Sequence, residues 1–157
     1  MTNLPLSDEH LAAVSQMTGL EFLRFAFSLP REQRPPVIGD LFGFEVQSLE
    51  EGEVSFSMVS MPSGANPLGT LHGGVCATLL DSVMGCAVHT RLGPGVGYGT
   101  LELKVNYIRT VPVDGRTLIG TGSVIHLGRS TATAEGRVVD ADGKLVAHGT
   151  TTCMIYS

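Results

Sequence analysis

The most informative stretch of this sequence is NPLGTLHGGVCATLLDSVMGCAVHT, Asn66–Thr90. The paired glycines Gly73 and Gly74 precede a run of apolar and small residues, a pattern that predicts a helix starting at Gly73. A helix that is apolar nearly all round must be covered on every side. Its one carboxylate is Asp81, eight residues beyond Gly73. The apolar positions of this predicted helix are Val75, Leu79, Leu80, Val83, Met84, Ala87 and Val88.

The segments on both sides of the helix have the alternation of β-strands. Apolar and polar residues alternate around EEGE, which predicts a β-hairpin from about Phe42 to Ser60. After the helix, strands are predicted in TLELKVNYIR, RTLIGTGSVIHLG, STATAEGRVVDADG and KLVAHGTTTCMIY, with glycine-containing turns between them. One sheet with a helix lying across it is the simplest α+β packing. In TLELKVNYIR we expect one face to carry Leu101, Leu103, Val105 and Tyr107, and the other Glu102, Lys104 and Asn106.

A helical pattern also extends from Asp8 to Leu29 near the N-terminus, with Gly19 as a point where it could divide into two short helices. Leu20, Leu23 and Phe27 share one face of this segment. We predict one domain over residues 1–157, with an N-terminal helical extension over residues 1–36. The prolines that end the extension are Pro30, Pro35 and Pro36.

Composition narrows the class of protein. Of the 157 residues, 43% are hydrophobic and 16% charged, and the net charge of -5 argues against a nucleic-acid surface. The start of the chain is acidic and unlike a secretory signal, and no apolar run is long enough to span a membrane. The three cysteines have no metal-ligand spacing, and no cluster of His, Asp or Glu does either, so we expect reduced thiols and no metal. These features predict a cytoplasmic protein.

The spacing of Gly73 and Asp81 has a geometric consequence. Backbone N–H groups at a helix start can stabilise the charge that a carbonyl oxygen gains in acyl transfer. At about 1.5 Å of rise per residue, however, Gly73 and Asp81 are roughly 12 Å apart along the axis. If both act on one carbonyl group, they must come from two antiparallel helices of a dimer. Alternatively, Asp81 is only hydrogen-bonded to a nearby Ser or Thr.

The pattern Asn-x-x-Gly-x-x-His-Gly-Gly, with an acid eight residues after the first paired glycine and the strand TLELKVNYIR beyond it, closely resembles the hotdog-fold acyl-CoA thioesterases of the PaaI-like branch, which serve in phenylacetate degradation. The resemblance covers roughly residues 40–155. It implies the hotdog fold, in which an antiparallel β-sheet wraps around one long central helix.

The resemblance also implies roles for five residues. Asp81 would be the nucleophile on the thioester carbon or the base for a water. The N–H of Gly73 would polarise the thioester carbonyl from the partner subunit, and Asn66 would orient the water or the thioester. His72 would support the loop, and Thr100 would assist the acid.

Coenzyme A carries phosphates, which arginine side chains suit. By the resemblance, Arg109, Arg129 and Ser130 would hold the coenzyme A portion, although solvated surface positions are the alternative for both arginines.

Other candidate residues have simpler interpretations. His72 could itself be a general base, or it could fix the loop as a hydrogen-bond donor. Cys76 and Ser82 have no activating base in the sequence, so we expect them to be packing residues. We expect structural or exposed positions for His89, His126 and His148.

The leading functional hypothesis is hydrolysis of an acyl-CoA thioester, with aryl, short-chain or medium-chain acyl groups all open. No cofactor is expected, because coenzyme A is part of the substrate. We expect at least a homodimer, and a homotetramer as the fuller assembly, without membrane or nucleic-acid partners. The alternatives are an acyl-thioester hydratase or dehydratase of the same fold, and a non-catalytic acyl-CoA sensor.

Overall fold

The computed structural model describes residues 14–156, which form three α-helices and six β-strands. The helices are α1 (Gly19–Ser28), α2 (Ile38–Phe42) and α3 (Gly73–His89). Single 3-10 turns lie at Arg31–Gln33 and Pro62–Gly64. The strands are β1 (Glu45–Glu50), β2 (Glu53–Val59), β3 (Gly97–Tyr107), β4 (Thr117–Leu127), β5 (Thr131–Asp140) and β6 (Leu145–Tyr156).

The six strands form one antiparallel sheet in the order β1-β2-β4-β5-β6-β3, and the sheet wraps around α3. This arrangement confirms the predicted hotdog fold. All seven apolar residues predicted for the central helix are buried within a single chain. At Gly122 of β4 the contact is so close that an added Cβ would lie 2.5 Å from the carbonyl carbon of Val83. The apolar residues of α3 are therefore buried without a second subunit.

Helix α1 accounts for the second half of the predicted N-terminal helical segment, and residues 8–13 lie outside the described residues. The helix begins at Gly19, the predicted division point, because Thr18 and Glu21 form a capping box. Gly19 also fits tightly, since its N–H donates to the carbonyl of Leu92 and a Cβ there would clash with the carbonyl oxygen of His89. The capping box fixes where α1 begins, and the close approach of Gly19 docks α1 against the end of α3.

The short helix α2 corrects the predicted start of the hairpin. Strand β1 begins at Glu45, and Phe42 is the last residue of α2 instead of the first residue of a strand. The Asp40 carboxylate accepts a hydrogen bond from the Val37 N–H at 2.9 Å, which stabilises the first turn. Gly43 ends the helix with φ at 63°, a left-handed conformation that glycine adopts at little cost.

Candidate active site

Asp81 is in the middle of α3, half-buried, and it contacts the edge strand β3. The Thr100 hydroxyl donates a hydrogen bond of 2.9 Å to Asp81 Oδ1. The other carboxylate oxygen, Oδ2, accepts no hydrogen bond from residues 14–156. The contact expected between an assisting Ser or Thr and this acid is thus present, and one oxygen of the acid stays available.

A β-bulge in β3 allows Thr100 to face the helix. Thr100 pairs with Cys153 and Glu102 pairs with Thr152, so Leu101 is an extra residue without a partner in β6. The prediction that Leu101 lies on the same face as Leu103 is therefore wrong, and Leu101 is 57% exposed. Leu103, Val105 and Tyr107 do lie on the helix side. In a regular strand Thr100 and Leu103 would point to opposite faces, and the bulge puts both towards α3.

The start of α3 is built from His72 and Gly73. His72 is the N-cap residue, and its Nδ1 accepts a hydrogen bond of 2.8 Å from the Gly74 N–H. His72 therefore fixes the turn as an acceptor, not as the expected donor. Its neutral ring then carries its proton on Nε2, which leaves no free lone pair for a general base. The Gly73 N–H donates to no group among the described residues.

Tyr107 holds the same turn from the opposite side, a contact that sequence reasoning missed. Its hydroxyl donates a hydrogen bond of 2.9 Å to the Gly73 carbonyl oxygen. A Cβ added to Gly73 would lie 3.0 Å from the Tyr107 ring, so glycine suits this position sterically. The alternation of β3 placed Tyr107 on the helix side, but nothing in the sequence specified which part of the helix it would meet.

Asn66 closes the loop before α3. Its Oδ1 accepts hydrogen bonds from the N–H groups of Leu68 at 2.9 Å and Thr70 at 3.2 Å. Its Nδ2 donates to the Thr70 hydroxyl at 2.8 Å. Most of the hydrogen-bonding capacity of Asn66 is therefore used to shape this loop, and one Nδ2 proton is left over.

The predicted residues form two groups in a single chain. Asp81 and Thr100 meet at the middle of α3, while Gly73, His72 and Asn66 lie at its start. Asp81 and Gly73 both belong to α3, eight residues apart, which corresponds to roughly 12 Å of rise along the helix axis. One chain alone does not bring the acid and the free N–H to one reacting carbonyl.

The residues predicted to bind coenzyme A also lie in two separate places. Arg109 is exposed at the end of β3, and its Nε donates to the Leu145 carbonyl at 3.3 Å. Arg129 and Ser130 are exposed in the β4–β5 turn, where the Ser130 carbonyl accepts from the Ile155 N–H at 2.9 Å. Leu145 and Ile155 lie near opposite ends of β6, about 33 Å apart for an extended strand. No single-chain site contains both arginines.

Within residues 14–156, the remaining histidines and cysteines have no arrangement suited to catalysis. His89 lies between Phe22 and Tyr98, with ring centroids 5.5 Å from each, while His126 and His148 are exposed. Burial raises the pKa of the Cys76 thiol to about 11. Burial and the nearby Asp81 carboxylate raise that of Cys86 to about 12. Protonated thiols are poor nucleophiles at neutral pH.

Within residues 14–156, no group of three or more His, Cys, Asp or Glu residues is placed to hold a metal ion. No helix in the same range is long and apolar enough to cross a membrane.

A pocket of about 360 Å³ opens beside Asp81 and Thr100. Its walls come from α1, the segment after α1, α2 and the inner side of the sheet. Ser82 and Cys86 of α3 also line it. This pocket was not predicted from the sequence, although the concentration of phenylalanine between residues 22 and 44 was a visible signal.

The part of the chain that contains Asp81 and Thr100 matches a known protein family. Residues 68–147, about half of the chain, match the model of the thioesterase superfamily. The chain belongs to the thioesterase superfamily. This membership confirms the predicted enzyme class, a thioester hydrolase. The matched range contains Gly73, Asp81 and Thr100 but not the segment that carries α1 and α2.

Individual relatives agree with this assignment. Human acyl-coenzyme A thioesterase 13 is 32% identical over 105 residues, which cover 65% of this chain and 72% of the relative. Among solved structures, the conserved protein PA5202 of Pseudomonas aeruginosa is 34% identical with a TM-score of 0.72, covering 82% of this chain and 100% of that one. The E. coli PaaI protein of the phenylacetic acid degradation operon has the same fold, with a TM-score of 0.70 at 22% identity, over 76% and 83% of the two chains.

Proposed function

We propose that this thioesterase-superfamily member hydrolyses an acyl-CoA thioester to a free acid and coenzyme A. The observation that carries the proposal is the half-buried Asp81, held by Thr100 through one oxygen and open at the other, beside an apolar pocket. A water oxygen adds to the thioester carbon, the C–S bond breaks, and the sulfur leaves as thiolate or, once protonated, as thiol. The human relative is named as an acyl-coenzyme A thioesterase, which supports this class of substrate.

Asp81 can serve this reaction in two ways. As a base it accepts a proton from the attacking water through Oδ2. As a nucleophile it forms an acyl–aspartyl anhydride with loss of the thiolate, and water then cleaves the anhydride. Thr100 orients the carboxylate in either case, because its hydroxyl fixes Oδ1. The neutral ring of His72 donates only through Nε2, which fits hydrolysis better than a hydratase reaction that uses a His base.

We further propose that each reaction centre is shared by two chains. Strand β3 lies at one end of the strand order, so one of its edges lacks a partner strand among the described residues. Exposed edges of this kind pair readily with a second chain. Tyr107 holds Gly73 and Thr100 holds Asp81, and both belong to β3.

We place Thr100 opposite Tyr107 of the partner subunit, the pairing that would complete the site. Because Leu101 is an extra residue in β3, two antiparallel β3 strands paired in this way have their two-fold axis at Lys104. This pairing sets the two α3 helices antiparallel and moves Gly73 of the partner subunit towards Asp81. It also moves Arg109 of the partner subunit towards the end of the sheet where Arg129 and Ser130 lie. Pairing of two such dimers would give the expected tetramer.

The test is a thiol-release assay with wild-type protein and a panel of acyl-CoA thioesters, with Asp81→Asn as the inactive control. We expect release of one thiol and one acid per thioester by the wild type. Hydration of an enoyl-CoA without thiol release would contradict the proposal in favour of a hydratase. Tight coenzyme A binding without turnover of any panel member would contradict it in favour of a sensor.

A further inference from the structure

The pocket beside Asp81 contains most of the aromatic residues of the chain. The sequence has six phenylalanines, and five of them line this single pocket together with Tyr98. Aromatic side chains bring large apolar surfaces to a binding site, and ligand pockets are typically apolar with few polar groups. The five phenylalanines are Phe22, Phe25, Phe27, Phe44 and Phe56.

One wall of the pocket is a continuous piece of chain. Residues 22–46, here called the N-terminal wall, contribute most of the lining, and Asp81, Ser82, Cys86 and Thr100 form the opposite side. The N-terminal wall lies outside residues 68–147, the range that matches the family model. The candidate catalytic residues Asp81 and Thr100 thus lie inside the range that matches the family model, whereas most of the pocket lining lies outside it.

The N-terminal wall is held in place by charged contacts. The Arg34 guanidinium donates to both Asp40 oxygens, at 2.9 and 3.4 Å, and Arg31 Nε lies 3.0 Å from Asp40 Oδ1. Arg34 also lies over the Phe27 ring, 5.9 Å from its centroid. The side chains of Arg34 and Asp40 are only 13% and 21% exposed. A largely desolvated, two-point ion pair of this kind gives a wall of fixed shape.

The size of the pocket limits what it suits. An apolar cavity of about 150 Å³ is enough to bind benzene, and this pocket has about 360 Å³. By the same proportion it accommodates up to roughly fourteen carbon atoms. A two- or four-carbon acyl group would leave most of the phenylalanine surface without contacts, which forfeits the free energy of apolar burial.

We infer that the N-terminal wall selects an apolar acyl group of roughly ten to fourteen carbons, a medium-length chain or a fused pair of aromatic rings, and places its thioester carbon at Asp81. This inference rests on the proposed function, which it deepens by naming the acyl group. Ala26, which lines the pocket from α1, is a position where a larger side chain would fill the space directly.

The experiment compares kcat/KM for butyryl-CoA, decanoyl-CoA and 2-naphthoyl-CoA in the wild type and in Ala26→Leu. We expect the wild type to prefer decanoyl-CoA or 2-naphthoyl-CoA over butyryl-CoA by at least about a hundredfold, given the added apolar area. A preference for the decanoyl substrate identifies a chain, and one for the naphthoyl substrate identifies fused rings. Ala26→Leu should reduce kcat/KM for the preferred substrate about tenfold or more and leave butyryl-CoA within about twofold.

Ser28→Leu is the matched control, since Ser28 is exposed on the same helix and does not line the pocket. Equal use of butyryl-CoA, or equal losses for all substrates in Ala26→Leu, would overturn the inference while thiol release still supports the proposed function. If no thioester is cleaved, the proposed function fails, and calorimetric binding of decanoate and 2-naphthoate then tests the pocket. Binding weakened by Ala26→Leu but not by Ser28→Leu supports the inference, and binding of neither acid overturns it.

Discussion

The Thr100 hydroxyl on the edge strand donates a hydrogen bond of 2.9 Å to the Asp81 carboxylate on the central helix. This contact joins the edge of the sheet to the one acid of the helix and leaves one carboxylate oxygen unoccupied by protein groups among residues 14–156. The arrangement suits a carboxylate that must be oriented and yet remain available to a water or a carbonyl carbon.

The first prediction concerns these two residues. Asp81→Asn should lower kcat about 10²- to 10⁴-fold, because the amide can neither accept the proton nor attack. Thr100→Val keeps the side-chain shape and removes the donor, and it should lower kcat by roughly ten- to a hundredfold. Initial rates of thiol release measure both effects, and thermal unfolding checks that the variants remain folded. Wild-type turnover by Asp81→Asn would rule out the assigned role.

The second prediction isolates the Gly73 N–H. Gly73→Pro removes this donor at the first position of the helix, where proline is well tolerated. The extended backbone of His72, with φ at -66° and ψ at 134°, already suits a residue that precedes proline. Loss of an oxyanion donor should lower kcat by about 10²- to 10³-fold.

Gly73→Ala is the control for this change, since it adds a Cβ against Tyr107 but keeps the N–H. We expect it to retain much more activity than Gly73→Pro in the same thiol-release assay. Equal losses in the two variants would show that steric contact with Tyr107, not the N–H, accounts for the effect.

The third prediction tests the shared reaction centre by mixing subunits. Asp81→Asn and Gly73→Pro are each expected to be inactive as homodimers. In a mixed dimer, one of the two centres combines an intact Asp81 with an intact Gly73 N–H. After unfolding and refolding of an equal mixture, we expect recovery of about a quarter of wild-type activity. The fraction of mixed dimers is measured with subunits of different mass tags, and mixed dimers without activity would contradict the shared centre.

The fourth prediction concerns pH and His89. Burial between Phe22 and Tyr98 lowers the pKa of His89 from its usual value of 6.5. At pH values above 6.5 the His89 side chain is neutral in both the folded and the unfolded chain, so the free energy of unfolding does not depend on its titration. Below pH 6.5 the unfolded chain binds a proton at His89 before the folded chain does. The protein therefore loses stability as the pH falls towards the pKa of His89 in the folded state.

Urea unfolding between about pH 8 and about pH 5 measures this effect. His89→Gln should flatten the decrease in stability at the acidic end. His126→Gln, which changes an exposed histidine, should leave the decrease as it is in the wild type. An identical pH profile for His89→Gln and the wild type would contradict the assignment.

Local patterns predicted the central helix and the strands. The helix begins at Gly73 as predicted, since glycines followed by an apolar run are a local signal of a helix start. The contact between Thr100 and Asp81 was expected from a family motif, not from periodicity. The short helix α2 was missed because its cap depends on the Asp40 carboxylate and the left-handed Gly43, which break an otherwise strand-like alternation.

Long-range packing accounts for the features that the sequence did not specify. The bulge at Leu101 depends on the register between β3 and β6, which is set by residues about fifty positions apart. The aromatic pocket depends on how α1 and α2 dock against α3, and the contact of Tyr107 with Gly73 depends on the path of β3 along the helix. Each of these is determined by the assembled tertiary structure rather than by a local window of residues.

The extra residue at position 101 makes β3 tolerant of changes at that point. Leu101 points largely into solvent, so many side chains could replace it without disturbing the interior. Deleting it would join Thr100 directly to Glu102 in a regular pleat, in which Thr100 still pairs with Cys153 and still faces α3 with Leu103. The strand therefore tolerates drift in residue identity at that point, and even the loss of one peptide unit, without turning Thr100 away from Asp81.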